Sequence, residues 1–168
     1  MKDLTVNCES LEETRSLGRQ LGRHLTVSTV IGLTGTLGSG KTHLTQAIAD
    51  GLEVSGSTVV SPTFTLCVPH SGRLQMLHLD AYRIGSLNEV DELALDESVE
   101  DGAVLIVEWA ELIEAALPPI DLAIRVEHTG ETARTFHLTA RTEKGRGLLG
   151  SLDAGELAAG DPDNSGTS

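Results

Sequence analysis

Short apolar runs alternate with amphipathic segments along this chain, a pattern typical of an α/β domain. Residues 28–34 (STVIGLT) and 103–108 (AVLIVE) are continuously apolar and rich in β-branched side chains, which predicts two buried strands. Leucines recur at roughly helical spacing over 11–25 and predict an amphipathic helix. Ser10 with Glu13 forms a capping box at its start, so the helix has a defined first turn.

Two further pairs of extended segments predict antiparallel hairpins. Residues 58–68 and 73–80 are separated by the polar turn His70-Ser71-Gly72, and residues 121–128 and 133–141 are joined around Gly130. The remaining elements are predicted to be an edge strand at 3–8, a helix at 41–51, helical pieces over 87–101, and a short helix at 110–117 that ends before Pro118-Pro119.

Together these elements predict a single α/β domain over residues 1–144, with a mixed parallel and antiparallel sheet flanked by helices. From Gly145 onward the chain is rich in Gly, Asp and Ser, and it has no basic residue after Arg146. We therefore expect residues 145–168 to form a disordered tail.

Charge and composition exclude several classes of function. Twelve Lys and Arg stand against 25 Asp and Glu, a formal net charge of -13, so unaided binding to bulk nucleic acid is unfavourable. Aromatic residues make up only 2% of the chain, which disfavours a base-stacking platform. The first residues contain no apolar signal region, and no apolar run reaches membrane-spanning length. We expect a cytoplasmic protein that does not contact membranes.

The segment Gly35–Thr42 (GTLGSGKT) matches the phosphate-binding pattern GxxxxGK[ST], and it lies between a predicted strand and a predicted helix. Glycines allow the backbone to fold closely around phosphate oxygens, and N–H groups from Leu37 to Thr42 would point inward as donors. Lys41 would contact the β- and γ-phosphates, and the Thr42 hydroxyl would bind Mg²⁺. The predicted nucleotide-binding residues of this loop are Leu37, Gly38, Ser39, Gly40, Lys41 and Thr42.

Such a loop requires an acid close to the metal ion, and two acids follow apolar strands. Asp80 ends LQMLHLD and Glu108 ends AVLIVE, so both would lie at the carboxyl edge of the sheet. One can hold the metal or its water while the other positions the attacking water, and the residues alone leave that assignment open. Thr63, which follows Pro62, could reach the metal as a switch-loop threonine does when the γ-phosphate is present. Strand alternation places His78 on the face of Asp80, beside the loop.

Four motifs in order, GTLGSGKT, SPTFTL, HLDAYR and VEW, resemble the TsaE (YjeE) family over residues 5–141. The resemblance implies a P-loop ATPase that binds ATP or ADP with Mg²⁺ and supports N6-threonylcarbamoylation of tRNA adenosine 37. It also implies a TsaB–TsaD heterodimer as partner, with TsaD as the transferase and tRNA contacted only through the complex. Lys41, Thr63, Asp80 and Glu108 would be catalytic, and Thr42, Asp80 and Glu108 would hold the metal. Trp109 and Arg134 would lie near the nucleotide.

Two other functions compete with this interpretation. A small-molecule or nucleotide kinase also uses a P-loop, but it would need an Arg-bearing lid, and no arginine lies between Arg83 and Arg125. An assembly factor that binds ATP without turning it over is compatible with the loop, although the second acid favours turnover. A GTPase is disfavoured because no NKxD-like segment is present. We expect slow hydrolysis by the isolated chain and a monomer in the absence of partners.

Overall fold

The computed structural model describes residues 2–54 and 67–152, which form one seven-stranded sheet with helices on both faces. The strands are β1 Lys2–Cys8, β2 Val30–Thr34, β3 Cys67–Ser71, β4 Gln75–Asp80, β5 Val104–Glu108, β6 Leu122–His128 and β7 Arg134–Ala140. The helices are α1 Leu11–His24, α2 Lys41–Gly51, α3 Leu87–Asp91, α4 Leu95–Glu100 and α5 Glu143–Ser151. The predicted α/β domain with a mixed sheet is confirmed.

The sheet has the order β1-β7-β6-β2-β5-β4-β3, which places β2 at its centre. Strand β2 runs parallel to both β5 and β6, and β4 runs parallel to β5. The two outer regions are antiparallel, through the β3–β4 hairpin on one side and the β6–β7–β1 group on the other. The carboxyl ends of β2, β4, β5 and β6 therefore meet at one edge, where α/β proteins bind their ligands.

Two apolar layers cover the sheet. On one face α1, α2 and α5 pack over β2 and the antiparallel strands, and on the other α3, α4 and the short turns after β5 pack over β4 and β5. Within the described residues, no helix is both long enough and apolar enough to span a bilayer.

Helix α1 begins close to its predicted capping box. The Ser10 hydroxyl accepts a hydrogen bond from the Glu13 N–H at 3.2 Å. The Glu13 carboxylate accepts from the Glu9 N–H at 2.7 Å, one residue before the position that a regular capping box uses. Each bond satisfies an N–H at a point where the helix itself supplies no acceptor.

Three sequence expectations differ from the structure. His70 and Ser71, expected in the turn of the first hairpin, belong to β3 and pair with Met76 and Gln75, and residues 58–66 of its predicted first strand lie outside the described residues. Residues 110–117 form two 3₁₀ turns, Ala110–Leu112 and Glu114–Ala116, in place of a short α-helix. The expectation of disorder from residue 145 is wrong for residues 145–152, so the ordered domain continues beyond residue 144. Helix α5 starts at the cap of Thr142, whose hydroxyl accepts from the Gly145 N–H at 3.3 Å. It then buries Leu148, Leu149 and Leu152 in the core. Residues 153–168 lie outside the described residues.

Candidate functional site

The glycine-rich segment Gly35–Thr42 leaves the carboxyl end of β2 and leads into α2, as predicted. Gly35, Gly38 and Gly40 have φ angles of 143°, 75° and 110°, a region that disfavours any residue with a Cβ atom. A Cβ atom at Gly35 would also lie 2.6 Å from the carbonyl oxygen of Val126. Glycine therefore favours this path of the loop, most strongly at Gly35, where a Cβ atom would also clash with backbone.

Lys41 lies inside the loop, with its ammonium group directed at backbone carbonyls. Its Nζ donates to Gly35 O at 2.7 Å and to Thr36 O at 2.9 Å, and it lies 4.0 Å from the centroid of the Trp109 ring. Burial lowers the pKa of Lys41, and the nearby carboxylates, Glu108 foremost, offset part of that effect. The amine is thus a desolvated cation, which an anionic ligand would stabilise.

The N–H donors predicted over Leu37 to Thr42 include that of Ser39, which is used inside the loop. The Ser39 N–H donates to Thr36 O at 3.0 Å. Ser39 is buried, whereas Leu37 at the tip of the loop is 80% exposed. The loop thus presents its tip to solvent while its base is fixed by internal hydrogen bonds.

Glu108 lies directly beside the start of α2. Its Oε1 accepts a hydrogen bond from the Thr42 hydroxyl at 2.7 Å, and its Oε2 lies 2.9 Å from His78 Nε2. Glu108 is 2% exposed and His78 is fully buried. The sequence indicated that His78 lies near the loop but gave no sign of its contact with Glu108, because that contact depends on the pairing of β4 with β5.

Asp80 is the neighbour of Glu108 across the β4–β5 pair, since the two residues are register partners. It is half-buried, and its Oδ1 accepts a hydrogen bond from the Tyr82 N–H at 3.0 Å. Asp80 thereby caps the turn Ala81–Arg83. The two predicted acids do meet at one edge of the sheet, with different hydrogen-bond partners.

Trp109, directly after Glu108, has an unusual backbone conformation. Its φ angle of 58° is in the left-handed region, which is rare for a bulky residue. The conformation turns the chain sharply after β5 and places the indole over Lys41 and 5.0 Å from the Tyr82 ring centroid. The family resemblance implies a position of Trp109 near the nucleotide, which stays a prediction, and it did not indicate the contacts with Lys41 and Tyr82.

Arg134 supports the loop from the start of β7. Its Nε donates to Ser39 O at 2.7 Å, and its Nη1 donates to Gly130 O at 3.1 Å and Ala133 O at 2.8 Å. These bonds tie the glycine-rich loop to the β6–β7 turn. The bonds of Arg134 are to backbone carbonyls, and its expected position near a nucleotide stays a prediction.

One cavity of about 540 Å³ brings most of the predicted residues together. Its lining includes Leu37, Gly38, Ser39, Gly40, Lys41, Thr42, Asp80, Glu108, Trp109 and Arg134. Thr63 lies outside the described residues, so its predicted role stays a prediction.

The fold and this cavity define a class of α/β protein. A loop with the P-loop sequence pattern joins its central strand to the following helix, and acids from two neighbouring strands lie beside that loop. A model of the family "Threonylcarbamoyl adenosine biosynthesis protein TsaE" matches residues 8–136. The chain belongs to the TsaE family, and its resemblance to that family is confirmed.

Similar proteins agree with this assignment. The chain is 36% identical over 141 residues to the tRNA threonylcarbamoyladenosine biosynthesis protein TsaE of Bacillus subtilis, covering 83% of this chain and 87% of that one. It is 40% identical to the TsaE protein of Streptomyces coelicolor, covering 71% and 82% of the two chains. The crystal structure of Bacillus subtilis YdiB superimposes with a TM-score of 0.75 and 30% identity, covering 94% of this chain and 95% of that one.

Proposed function

We propose that this chain is the ATP-binding and ATP-hydrolysing subunit of the system that threonylcarbamoylates tRNA adenosine 37, and that it works with a TsaB–TsaD heterodimer. The observation that carries the proposal is the 2.7 Å hydrogen bond between Thr42 and Glu108 at the mouth of the glycine-rich loop. A P-loop ATPase needs two groups beside its metal: a hydroxyl at the start of the helix and a carboxylate at the end of a strand that neighbours the loop's own strand in the sheet.

The described residues fit a Mg²⁺-nucleotide. The three loop glycines keep Cβ atoms away from the cradle, and the desolvated ammonium of Lys41 favours an anion. The described residues contain no cluster of three or more His, Cys, Asp or Glu side chains able to hold a metal by themselves. Mg²⁺ suits such a site because it takes one or two protein ligands and completes its shell with phosphate oxygens and water. When bound, it would neutralise charge on the phosphates.

Lys41 is the cation held inside the glycine-rich loop, and fast hydrolysis would need a second cation at the phosphates. Arg134 donates to backbone carbonyls of the loop and of the β6–β7 turn, and Arg83 is exposed at the rim of the cavity. Charge on a transferring phosphoryl group needs such stabilisation for fast turnover. We therefore expect slow ATP hydrolysis by the chain alone and faster hydrolysis with TsaB–TsaD. The TsaD subunit would perform the threonylcarbamoyl transfer. The complex would work in the cytoplasm.

A pull-down with purified TsaB and TsaD tests the partnership. The tagged chain should retain both proteins with ATP and Mg²⁺ present, and retention should differ when ATP is omitted. The ATPase rate of the mixture should exceed the sum of its parts. Fast hydrolysis by the lone chain that is unchanged by TsaB–TsaD, or failure to retain either protein in every nucleotide state, would contradict the proposal.

A further inference from the structure

The buried pair of His78 and Glu108 is a feature that the proposed ATPase function does not by itself require. His78 is fully buried on β4, and Glu108 is 2% exposed at the end of β5. Parallel pairing sets Asp80 opposite Glu108, so His78 lies two residues earlier on the same face of the neighbouring strand. Both strands are paired on both sides, so the backbone that carries these two side chains is held in place.

The two carboxylate oxygens of Glu108 have different hydrogen-bond partners. Oε1 accepts from the Thr42 hydroxyl at 2.7 Å, and Oε2 lies 2.9 Å from His78 Nε2, within hydrogen-bond distance. A hydrogen bond to one oxygen fixes the orientation of a carboxylate, so the other oxygen points in one direction. Here that direction is toward Thr42, where the proposed metal would be held.

The surroundings of the imidazole favour one tautomer. Within the described residues, His78 Nδ1 is buried without a hydrogen-bond partner. A proton on Nδ1 would be a buried donor with no acceptor, which costs more than leaving a ring nitrogen unprotonated. The proton therefore belongs on Nε2, where it can be donated to Glu108.

We infer that His78 is a positioning residue: it fixes the carboxylate of Glu108 through Nε2–H, so that the other oxygen meets Mg²⁺ together with Thr42. The inference rests on the proposed function for its metal. It assigns His78 no contact with nucleotide. Its effect should appear in the dependence of nucleotide binding on Mg²⁺. Loss of a residue that is hydrogen-bonded to a metal ligand typically weakens metal affinity by about tenfold to a hundredfold.

Paired substitutions separate the hydrogen bond from simple packing. His78→Leu removes the donor at similar volume, whereas His78→Gln can keep an N–H near the position of Nε2. The control is His137→Leu, since His137 lies 3.1 Å from Glu127 in an exposed His–Glu pair away from the site. ATP binding is followed by calorimetry in EDTA and over a Mg²⁺ titration, and thermal unfolding checks that each variant is folded.

We expect His78→Leu to raise the half-saturating Mg²⁺ concentration about tenfold or more while metal-free ATP affinity stays within about twofold. His78→Gln should restore most of the loss, and His137→Leu should match the parent. An unchanged Mg²⁺ midpoint in His78→Leu, or equal losses in the Leu and Gln variants, would overturn the inference.

A second measurement needs no substitution. Long-range ¹H–¹⁵N spectra of the parent protein without nucleotide should show His78 protonated at Nε2 alone. Protonation at Nδ1 alone would overturn the inference even if His78→Leu fails to fold. If the parent protein binds no ATP in either condition, the proposed function fails instead, and the spectrum still decides whether His78 holds Glu108.

Discussion

Asp80 and Glu108 are register partners with different surroundings, and this difference predicts different roles. Glu108 is buried and bonded to the Thr42 hydroxyl, whereas Asp80 is half-buried and bonded to the Tyr82 N–H. We expect Glu108→Gln to lower Mg²⁺-dependent ATP hydrolysis by about a hundredfold or more, because it removes charge worth a few kcal/mol to the transition state. Metal-free ATP binding should stay near the parental level, as the shape of the side chain is kept.

Steady-state ATPase assays with TsaB–TsaD and binding assays on the same preparations test this prediction. Asp80→Asn is the matched variant, and it should impair turnover through the water that we expect Asp80 to hold beside the metal. If Glu108→Gln keeps near-parental turnover while Asp80→Asn is inactive, the two roles are reversed.

Lys41 is expected to be required for ATP binding while it costs stability in the absence of nucleotide. Burial lowers its pKa, so the folded chain binds this proton more weakly than the unfolded chain. The loss of folding stability caused by Lys41 is complete at pH values below the pKa of Lys41 in the folded chain. It disappears as pH rises toward the pKa of lysine in the unfolded chain, about 10.5. Lys41→Met should therefore abolish tight ATP binding and be at least as stable as the parent near pH 7.5.

Urea unfolding of both proteins at several pH values between about 7.5 and 10.5 measures this effect. The stability advantage of Lys41→Met should shrink as pH rises, and titration of other groups cancels in the difference. Lys144→Met, on an exposed lysine that donates to the Ser28 hydroxyl, should leave ATP binding unchanged. A large loss of stability in Lys41→Met at pH 7.5 would show that its bonds to the loop carbonyls outweigh its desolvation.

Among the elements, α1 and α2 approach so closely that their contact depends on glycine. A Cβ atom at Gly22 would lie 2.2 Å from Ile48 O and 2.7 Å from the Cα atom of Gly51. Both contacts are with backbone, which cannot move aside as a side chain can. We expect Gly22→Ala to lower the free energy of unfolding by on the order of 2–3 kcal/mol through overpacking.

Gly147 in α5 is the matched control for this substitution. A Cβ atom there would meet nothing within 4 Å, so Gly147→Ala should stabilise the protein by about 0.5–1 kcal/mol through helix propensity. Chemical denaturation of both variants gives the comparison. A Gly22→Ala variant as stable as the parent would mean that the two helices separate at little cost.

Local patterns predicted most elements, and contacts between elements account for what they missed. The apolar runs that became β2 and β5, and the capping box before α1, are properties of a few consecutive residues. Helix α5 contains three glycines, so its sequence resembles a linker. It is ordered by tertiary contacts of Leu148 and Leu149. Such contacts depend on the position of the rest of the sheet.

At the candidate site, too, local patterns could be predicted and contacts between elements could not. The loop motif and both acids could be predicted because spacing and strand ends mark them. The contact of Glu108 with His78 and the stacking of Trp109 over Lys41 could not, because they depend on the β4–β5 register and on a left-handed turn at Trp109. Neither feature leaves a recognisable sequence pattern.

For the whole molecule, the net charge of -13 predicts that the isolated chain does not bind tRNA by itself. A polyanion approaching an acidic surface is repelled, and lowering the salt concentration lengthens the range of that repulsion. In filter-binding assays the isolated chain should not retain tRNA at about 0.15 M salt, nor at lower salt. Retention should appear only with TsaB–TsaD. Binding by the lone chain that strengthens at low salt would contradict this.

The central position of β2 has a consequence for the order in which the molecule opens. Strand β2 is paired on both sides, and its first N–H, that of Val30, donates to the buried carboxylate of Asp121 at 2.8 Å. Amide protons of Ile31 and Leu33 should therefore exchange with solvent deuterium only through global unfolding, while the edge strands β1 and β3 exchange through local fraying. Fraying of β1 and β3 alone would therefore leave β2 paired on both sides, and with it the start of the glycine-rich loop.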